Sequence, residues 1–143
     1  MMNLIFDVDQ NRLIEVLAER LKEEKLVSPP SWSSFVKTGA HKERPPLRED
    51  WWFVRSAAVL RSVFLLGPVG TEKLRRKFGG RKNRGVKPER FVKGSGSVTR
   101  KILQQLEQAG LVVQGVKGVH KGRVVTGKGV KLLRDAALRV KGD

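Results

Sequence analysis

The sequence EDWWFVRSAAVLRSVFLLG, residues 49–67, decides the fold. On a helix, at about 100° per residue, its apolar side chains leave almost no polar side. The polar side chains within the apolar run are Arg55, Ser56, Arg61 and Ser62. A helix of this kind belongs in the middle of a domain, where it can bury most of its surface. We therefore predict a central helix that starts near Asp50, which can cap it, and ends at Gly67-Pro68.

A narrow polar strip runs along this central helix, with Arg55 and Ser62 two turns apart and Trp51 and Ala58 beside them. One interpretation places Arg55 at the edge of the core, with a buried aliphatic stem and a neighbouring carboxylate as its partner. In the other interpretation, the strip is where the central helix reaches a binding partner.

The composition fits one domain with a polyanionic partner. A chain of 143 residues with 39% hydrophobic content can form one core, so residues 1–143 are expected to make a single domain. Its net charge of +16 and its pI near 11.0 far exceed what solubility requires. Residues 1–26 carry a net charge of −2, from six acids and four bases, which leaves +18 on the remainder. Nucleic acid is therefore the first candidate partner.

The residue types that most enzymes and metal sites need are scarce. There are no cysteines, and the two histidines, His41 and His120, lie far apart in the sequence. No disulfide or cysteine-type zinc site can form, and we expect neither a metal ion nor a cofactor. The apolar run in the opening MMNLIFDVDQ is too short for a signal peptide, and no segment has the apolar length of a membrane span. We expect a cytosolic protein that does not enter a membrane.

The residues before the central helix, about 1–48, predict a helical extension. An amphipathic helix from about residue 9 to residue 25 is indicated by the helical spacing of Leu13, Val16, Leu17 and Leu21. After a break at Pro29-Pro30, residues 31–36 are typical of a short helix opened by proline. Its Trp32 and Phe35 are spaced to pack on the core.

The irregular stretch KTGAHKERPPLR, residues 37–48, is named the basic loop. Basic residues on a loop stiffened by Pro45-Pro46 suit phosphate contacts, although a solvated connector would have the same composition. The candidate contacts in this loop are Lys37, His41, Lys42 and Arg44.

Three helices and a hairpin follow the order of a winged helix-turn-helix, which predicts a mainly α fold. The central helix comes first, TEKLRRKF at residues 71–78 comes second, and a helix from Ser97, its cap, to Ala109 comes third. The β-rich runs within residues 111–126 predict a small hairpin, the wing. A last helix is predicted at about residues 128–140.

A basic insert, GGRKNRGVKPERFVKGSGS at residues 79–97, separates the second and third helices. We predict a long irregular loop, which in a compact domain is functional or disordered. A floppy tether that only adds charge is the alternative, but Phe91 argues for order because it can dock on the body or stack on a base. The candidate contacts in and around the insert and in the wing are Arg75, Arg76, Lys77, Arg81, Lys82, Arg84, Lys87, Arg90, Lys93, Arg100, Lys101 and Arg123.

A co-linear series of segments resembles one known family. The segments are WWFVRSAAVLR, GPVGTEKLRRKFGG, GVKPERFVKGSGS, RKILQQLEQAGLV and GRVVTGKG, with KTGAHKERPP upstream. Together they resemble the archaeal and eukaryotic small-subunit ribosomal protein of the nineteen-e type over nearly the whole chain. The resemblance implies a winged-helix-like fold and binding to small-subunit ribosomal RNA in the head region. It also implies neighbouring ribosomal proteins as partners, a place on cytoplasmic ribosomes and support of subunit maturation.

By this resemblance, the residues that face RNA include Lys37, His41, Arg55, Arg61, Arg81, Lys82, Arg84 and Lys87. The sequence departs from the family pattern at TGKG, residues 126–129, where we expect a proline after the threonine. The start of the last helix is therefore expected to be looser here.

Two other classes of function compete with ribosomal RNA binding. A winged-helix DNA-binding transcriptional regulator would fit the helix order, with residues 100–108 in a major groove. Such a regulator would normally dimerise, and the sequence shows no spare dimerisation helix, so we expect a monomer when free. An enzyme is least favoured because no triad, dyad or metal cluster can be assembled, although Glu89 or Glu107 leaves a nuclease open.

Overall fold

The computed structural model describes residues 3–142 and is mainly helical, as predicted. The helices in this range are α1 (Asn3–Asp7), α2 (Gln10–Glu23), α3 (Trp51–Leu66), α4 (Thr71–Lys77), α5 (Gly96–Gln108) and α6 (Gly127–Gly142). A 3-10 turn spans Ser31–Ser34. The strands form two antiparallel hairpins, β1 (Gly80–Arg84) with β2 (Lys87–Val92) and β3 (Val112–Lys117) with β4 (His120–Val125). No helix in the described range is long and apolar enough to cross a membrane.

Helix α3 is the predicted central helix, and it packs against α2, α5, α6 and the wing. Its polar strip is less open than predicted at Ser62, which is buried, and Ser56 on the same helix is buried as well. Each hydroxyl donates a hydrogen bond of 2.8 Å to the carbonyl four residues earlier, Trp52 O and Ala58 O respectively. The two serines are therefore satisfied within the helix and are not available to a partner.

Two predicted helix caps are wrong in detail. Asp50 occupies the N-terminal position of α3, but its side chain makes no capping bond and instead accepts hydrogen bonds from Arg48 at 3.0 Å. The cap of α5 is Ser95, whose Oγ accepts from the Val98 N–H at 3.3 Å, and Ser97 lies inside the helix. The sequence GSGS offers two serines, and spacing alone did not distinguish them.

The amphipathic helix of the extension is confirmed as α2, with Leu13, Leu17 and Leu21 fully buried. The short helix that follows is a single 3-10 turn. Trp32 packs edge-on against Trp52, with ring centroids 5.7 Å apart. Phe35 was predicted to pack on the core, but it is 84% exposed because the turn ends at Ser34.

The basic insert is an ordered hairpin rather than an irregular loop. β1 and β2 pair from Gly80–Val92 to Arg84–Lys87. The reversal uses Gly85, which has a φ of +73° and donates its N–H to the Asn83 side chain at 3.0 Å. The sequence did not predict these strands because most of their residues are exposed, so no alternation of apolar side chains marks them. We call this element the basic hairpin.

The wing is confirmed within the predicted residues 111–126, and its ladder runs from Val112–Val125 to Lys117–His120. The predicted loose start of the last helix is wrong. Gly129 donates its N–H to the Thr126 hydroxyl at 3.3 Å, and the same hydroxyl donates to the Gly110 carbonyl at 2.7 Å. These bonds hold the start of α6 against the end of α5 without a proline.

Candidate nucleic-acid interface

The basic loop and the basic hairpin are joined by backbone contacts. The Thr38 carbonyl accepts the Ser95 N–H at 2.9 Å, where the hairpin leads into α5. The Nζ of Lys82 donates to the Ala40 carbonyl at 3.0 Å. Two segments that are about 40 residues apart in sequence therefore present their positive charges on one part of the molecule. The sequence predicted both basic segments but not that they meet.

His41 lies at this junction as a packing residue. A Cβ on Gly39 would come within 2.7 Å of its Cε1, and one on Gly80 within 2.9 Å of its Cδ2. Burial lowers the pKa of His41, and the charges of Lys42 and Arg55 lower it further, so the ring is neutral at pH 7. Its Nδ1 is buried and has no hydrogen-bond partner among residues 3–142. The predicted RNA contact through this residue is thus a contact through a neutral ring.

Among residues 3–142, Arg55 does not have the carboxylate partner of the first interpretation, and its contact with a binding partner stays a prediction. Its guanidinium lies over the ring of Phe78, with Cζ 4.4 Å from the ring centroid. Burial lowers the pKa of Arg55, and no carboxylate in the described range neutralises it. The arginine is therefore anchored by a cation–π contact at the end of α4, and its charge is left uncompensated. The aromatic partner could be predicted from neither spacing nor charge.

Arg61 and Lys77 are two neighbouring cations that no carboxylate in residues 3–142 neutralises. The Arg61 Nε is buried and finds no acceptor within residues 3–142. Burial lowers the pKa of both residues, and the charge of Arg61 lowers that of Lys77 further. Two neighbouring cations that are partly dehydrated and face no carboxylate favour an anion such as a phosphate.

Two of the predicted RNA contacts, Arg75 and Lys93, form intramolecular ion pairs with Glu72. Its carboxylate accepts from Lys93 Nζ at 2.7 Å and from Arg75 Nη1 at 2.9 Å, which lowers the pKa of Glu72 to about 2. Arg75 also donates from Nε to the Gly94 carbonyl at 3.0 Å. These bonds join α4 to the end of β2, so Arg75 and Lys93 position the basic hairpin.

Arg123 is likewise engaged in the fold. Its Nε donates to Glu107 at 3.2 Å, and its side chain is only 18% exposed. Its backbone exchanges two hydrogen bonds with Val69, at 2.9 and 3.2 Å. These contacts join the wing to the segment after α3, and they leave little of Arg123 for a partner.

The remaining predicted residues are more open. Arg81 is 82% exposed and is 3.7 Å from Glu89, which is a weak pair. Arg84 donates to the Pro88 carbonyl at 3.4 Å. The candidates that are exposed and have no ion pair in the described part of the chain are Lys37, Lys42, Arg44, Arg76, Lys87, Arg90, Arg100 and Lys101.

Arg48 is a residue whose role the sequence did not indicate. It donates to both oxygens of Glu15, at 2.6 and 3.1 Å, and to both oxygens of Asp50, each at 3.0 Å. These bonds raise the pKa of Arg48 and lower the pKa of Glu15 and Asp50. They fix the end of the basic loop to α2 and α3. Glu15 lies 33 positions away, so no local pattern could reveal this cluster.

A cleft of about 630 Å³ opens between the basic loop and α3. Its walls are formed by Thr38, His41, Lys42, Glu43, Arg44, Pro45, Pro46, Leu47, Arg48, Trp51, Val54, Arg55 and Ala58. We call it the α3 cleft. Trp51, Arg55 and Ala58 belong to the strip that the sequence predicted as the place where the central helix reaches a partner. The structure thus brings that strip and the basic loop to one site.

The sequence model of the family Ribosomal protein S19e matches residues 4–143. The chain belongs to that family. Ribosomal protein S19e is a structural, non-enzymatic class, in agreement with the prediction that this chain is not an enzyme.

Relatives within the S19e family cover most of the chain. A small ribosomal subunit protein eS19 from Aeropyrum pernix is 49% identical over 94% of this chain and 87% of its own length. The eS19 protein of Haloarcula marismortui is 43% identical, with 95% and 90% covered. The eS19G protein of Ascaris suum is 43% identical, with 87% and 83% covered. These matches confirm the family resemblance seen in the sequence segments.

Proposed function

We propose that this protein is a structural constituent of the small ribosomal subunit that binds small-subunit ribosomal RNA in the head region and supports maturation of the subunit. The observation that carries the proposal is the meeting of the basic loop, α3, α4 and the basic hairpin at one surface within an S19e chain. The proposed contacts are Lys37, His41, Lys42, Arg44, Arg55, Arg61, Arg76, Lys77, Arg81, Lys82, Arg84, Lys87, Arg90, Arg100 and Lys101. Arg75, Lys93 and Arg123 act by positioning the elements that carry them.

We propose that the chain forms one RNA-binding domain with a winged-helix-like arrangement. Helices α3, α4 and α5 precede the β3–β4 wing, and an isolated β-bridge between Val69 and Arg123 joins the segment after α3 to the wing. One set of buried apolar side chains runs from Ile5 to Ala137. We propose that the free protein is a monomer, resides in the cytoplasm and contacts neighbouring ribosomal proteins when assembled.

The fold also disfavours the alternative of a DNA-binding regulator. Such a regulator needs the outer face of α5 in a major groove. Part of that face is engaged, because Gln105 donates to the Ser28 carbonyl at 2.7 Å and accepts from Trp52 Nε1 at 2.9 Å. The chain before the 3-10 turn therefore lies along α5. The comparisons do not support the regulator either.

Sedimentation of native cell extracts tests the proposed function. The protein, detected by antibody on a sucrose gradient, should travel with small ribosomal subunits in low salt. High salt should release it, because phosphate contacts weaken as counterions compete. Recovery only at the top of the gradient, at every salt concentration, would contradict a ribosomal role.

A further inference from the structure

The α3 cleft is lined by both apolar and cationic side chains. One wall is α3, where Trp51, Val54 and Ala58 present apolar side chains. The opposite wall is formed by Pro45-Pro46 and Leu47, and the Leu47 side chain is 95% exposed. An exposed leucine and a tryptophan that line one open cleft have apolar area to lose from water on binding.

The cleft is held open in the free protein. Pro45 and Pro46 restrict the backbone of one wall, because each ring fixes φ. Arg48 ties the end of that wall to Glu15 and Asp50 through four hydrogen bonds of 2.6 to 3.1 Å. A ligand therefore enters a preformed site and does not need to order the loop first.

The charges around the cleft select an anionic ligand. Lys42 and Arg44 are exposed at its rim, and neither has an ion pair among residues 3–142. Arg55 contributes a third cation, whose partner is the ring of Phe78. Glu43 is the one acid of the lining. Arg48 also lines the cleft, but its charge is already matched by Glu15 and Asp50. An acidic or phosphate-bearing group fits this rim, and a flat apolar group fits the walls.

We propose that the α3 cleft binds one unpaired nucleotide of the ribosomal RNA. Its base lies between the α3 wall and the Pro45–Leu47 wall, and its phosphates lie against Lys42 and Arg44. This inference rests on the proposed RNA-binding function and adds a specific chemical preference to it. An unstacked base offers a flat apolar face beside a negative backbone, which is how proteins take up single-stranded RNA. A fully paired helix has no base to insert, so this site distinguishes looped or bulged RNA from duplex.

The test uses three short RNA hairpins and the full-length protein. One hairpin carries a single bulged adenosine, the second carries an abasic nucleotide at the bulge, and the third is fully paired. All three carry the same stem phosphates, and the abasic hairpin also keeps the phosphates of the bulged nucleotide. The native protein should bind the bulged hairpin about tenfold tighter than the abasic one, because base stacking is lost in the latter.

Two charge-neutral variants locate the effect. Ala58→Phe fills the cleft from the α3 side, and Leu47→Ser removes an exposed apolar wall at little risk to folding. Both should reduce the preference for the bulged base, and Ala58→Phe should abolish it while binding of the paired hairpin is retained. Leu138→Phe, on the exposed side of α6, is the matched control and should leave the preference unchanged.

The possible results separate the two proposals. Equal affinity of the native protein for the bulged and abasic hairpins would overturn the nucleotide site, even with strong, salt-dependent binding of all three RNAs. A preference that persists in both cleft variants would also overturn it. If Ala58→Phe bound all three RNAs as the native protein does but no longer entered ribosomal particles, the cleft would be assigned to a segment of a ribosomal protein instead. Failure of all three RNAs to bind would count against the proposed function itself.

Discussion

At the scale of single residues, Arg55 shows how a core helix serves a charged surface. The residue is partly buried, and its guanidinium lies over the Phe78 ring with Cζ 4.4 Å from the ring centroid. The sequence suggested either a carboxylate partner or an open arginine. An aromatic platform gives a fixed position without neutralising the charge, which suits the proposed contact with a phosphate.

Replacing Arg55 with Met should separate its two roles. Arg55→Met keeps the buried stem but loses the cation–π contact, so the free energy of unfolding should fall by about 1 kcal/mol in urea denaturation. RNA affinity should fall as well. Arg76→Met, on the exposed side of α4, is the control and should weaken RNA binding with no change in stability. Equal unfolding midpoints for the two variants would mean that the Phe78 contact contributes nothing.

The pair of cations at Arg61 and Lys77 makes a different prediction. Lys77→Met removes one of two neighbouring like charges, so the free protein should be as stable as the native one or slightly more stable. RNA binding should weaken. The slope of log binding constant against log salt concentration should fall in magnitude by roughly 0.7 to 0.9, as expected for the loss of one phosphate contact. Lys131→Met on α6 serves as the control. An unchanged slope in Lys77→Met would remove this pair from the RNA surface.

At the scale of elements, the basic hairpin depends on Glu72 for its attachment. Glu72 joins Lys93 and Arg75, and its pKa is lowered to about 2. A carboxylate with a lowered pKa stabilises the folded state fully above its unfolded pKa, near 4.5, and loses that contribution as the pH falls toward 2. The base of the hairpin should therefore loosen in acid.

Glu72→Gln tests this attachment. The variant should open more readily at the hairpin base at pH 7, seen as faster amide hydrogen exchange at residues 92–94. Its stability should also change less between about pH 5 and pH 2 than that of the native protein. Glu19→Gln, an exposed carboxylate with no ion pair in the described part of the chain, should show neither effect. Native exchange rates in Glu72→Gln would show that the three-residue cluster does not hold the hairpin.

The exposed cations of β2 in the basic hairpin should act through charge alone. Lys87 and Arg90 are exposed, so changing both to Gln should alter the free energy of unfolding by less than about 0.5 kcal/mol. The log–log salt slope of RNA binding should fall in magnitude by roughly 1.4 to 1.8, as expected for the loss of two phosphate contacts. A large fall in the thermal midpoint would instead give these side chains a structural role.

The elements also show what sequence patterns can and cannot predict. The long helices were predictable because Leu13, Leu17 and Leu21 in α2 and the apolar run of α3 each bury a face with helical period. The basic hairpin was missed because its strands consist mostly of exposed residues, and no alternation of apolar side chains marks them. Its turn, Asn83 to Gly85, was the one available signal, and it is weak without flanking apolar alternation.

At the scale of the whole molecule, the sequence predicted a basic surface but not its assembly. Composition already required a polyanionic partner, and the family resemblance named the class of RNA. The contacts that join the basic loop to the basic hairpin (Lys82 to Ala40) and to α2 (Arg48 to Glu15) link residues more than 30 positions apart. Such long-range pairs depend on how α2, α3 and α4 pack, and that packing cannot be deduced from any one segment.

The central claim is that this assembled surface faces ribosomal RNA. Chemical modification of lysines in native small subunits, compared with the free protein and quantified by mass spectrometry, tests it most directly. Lysines of the proposed surface, Lys37, Lys42, Lys77 and Lys87, should be protected in the particle, and mild nuclease digestion of the RNA should restore their reactivity. Equal reactivity of these four lysines in the particle and in the free protein would contradict the account.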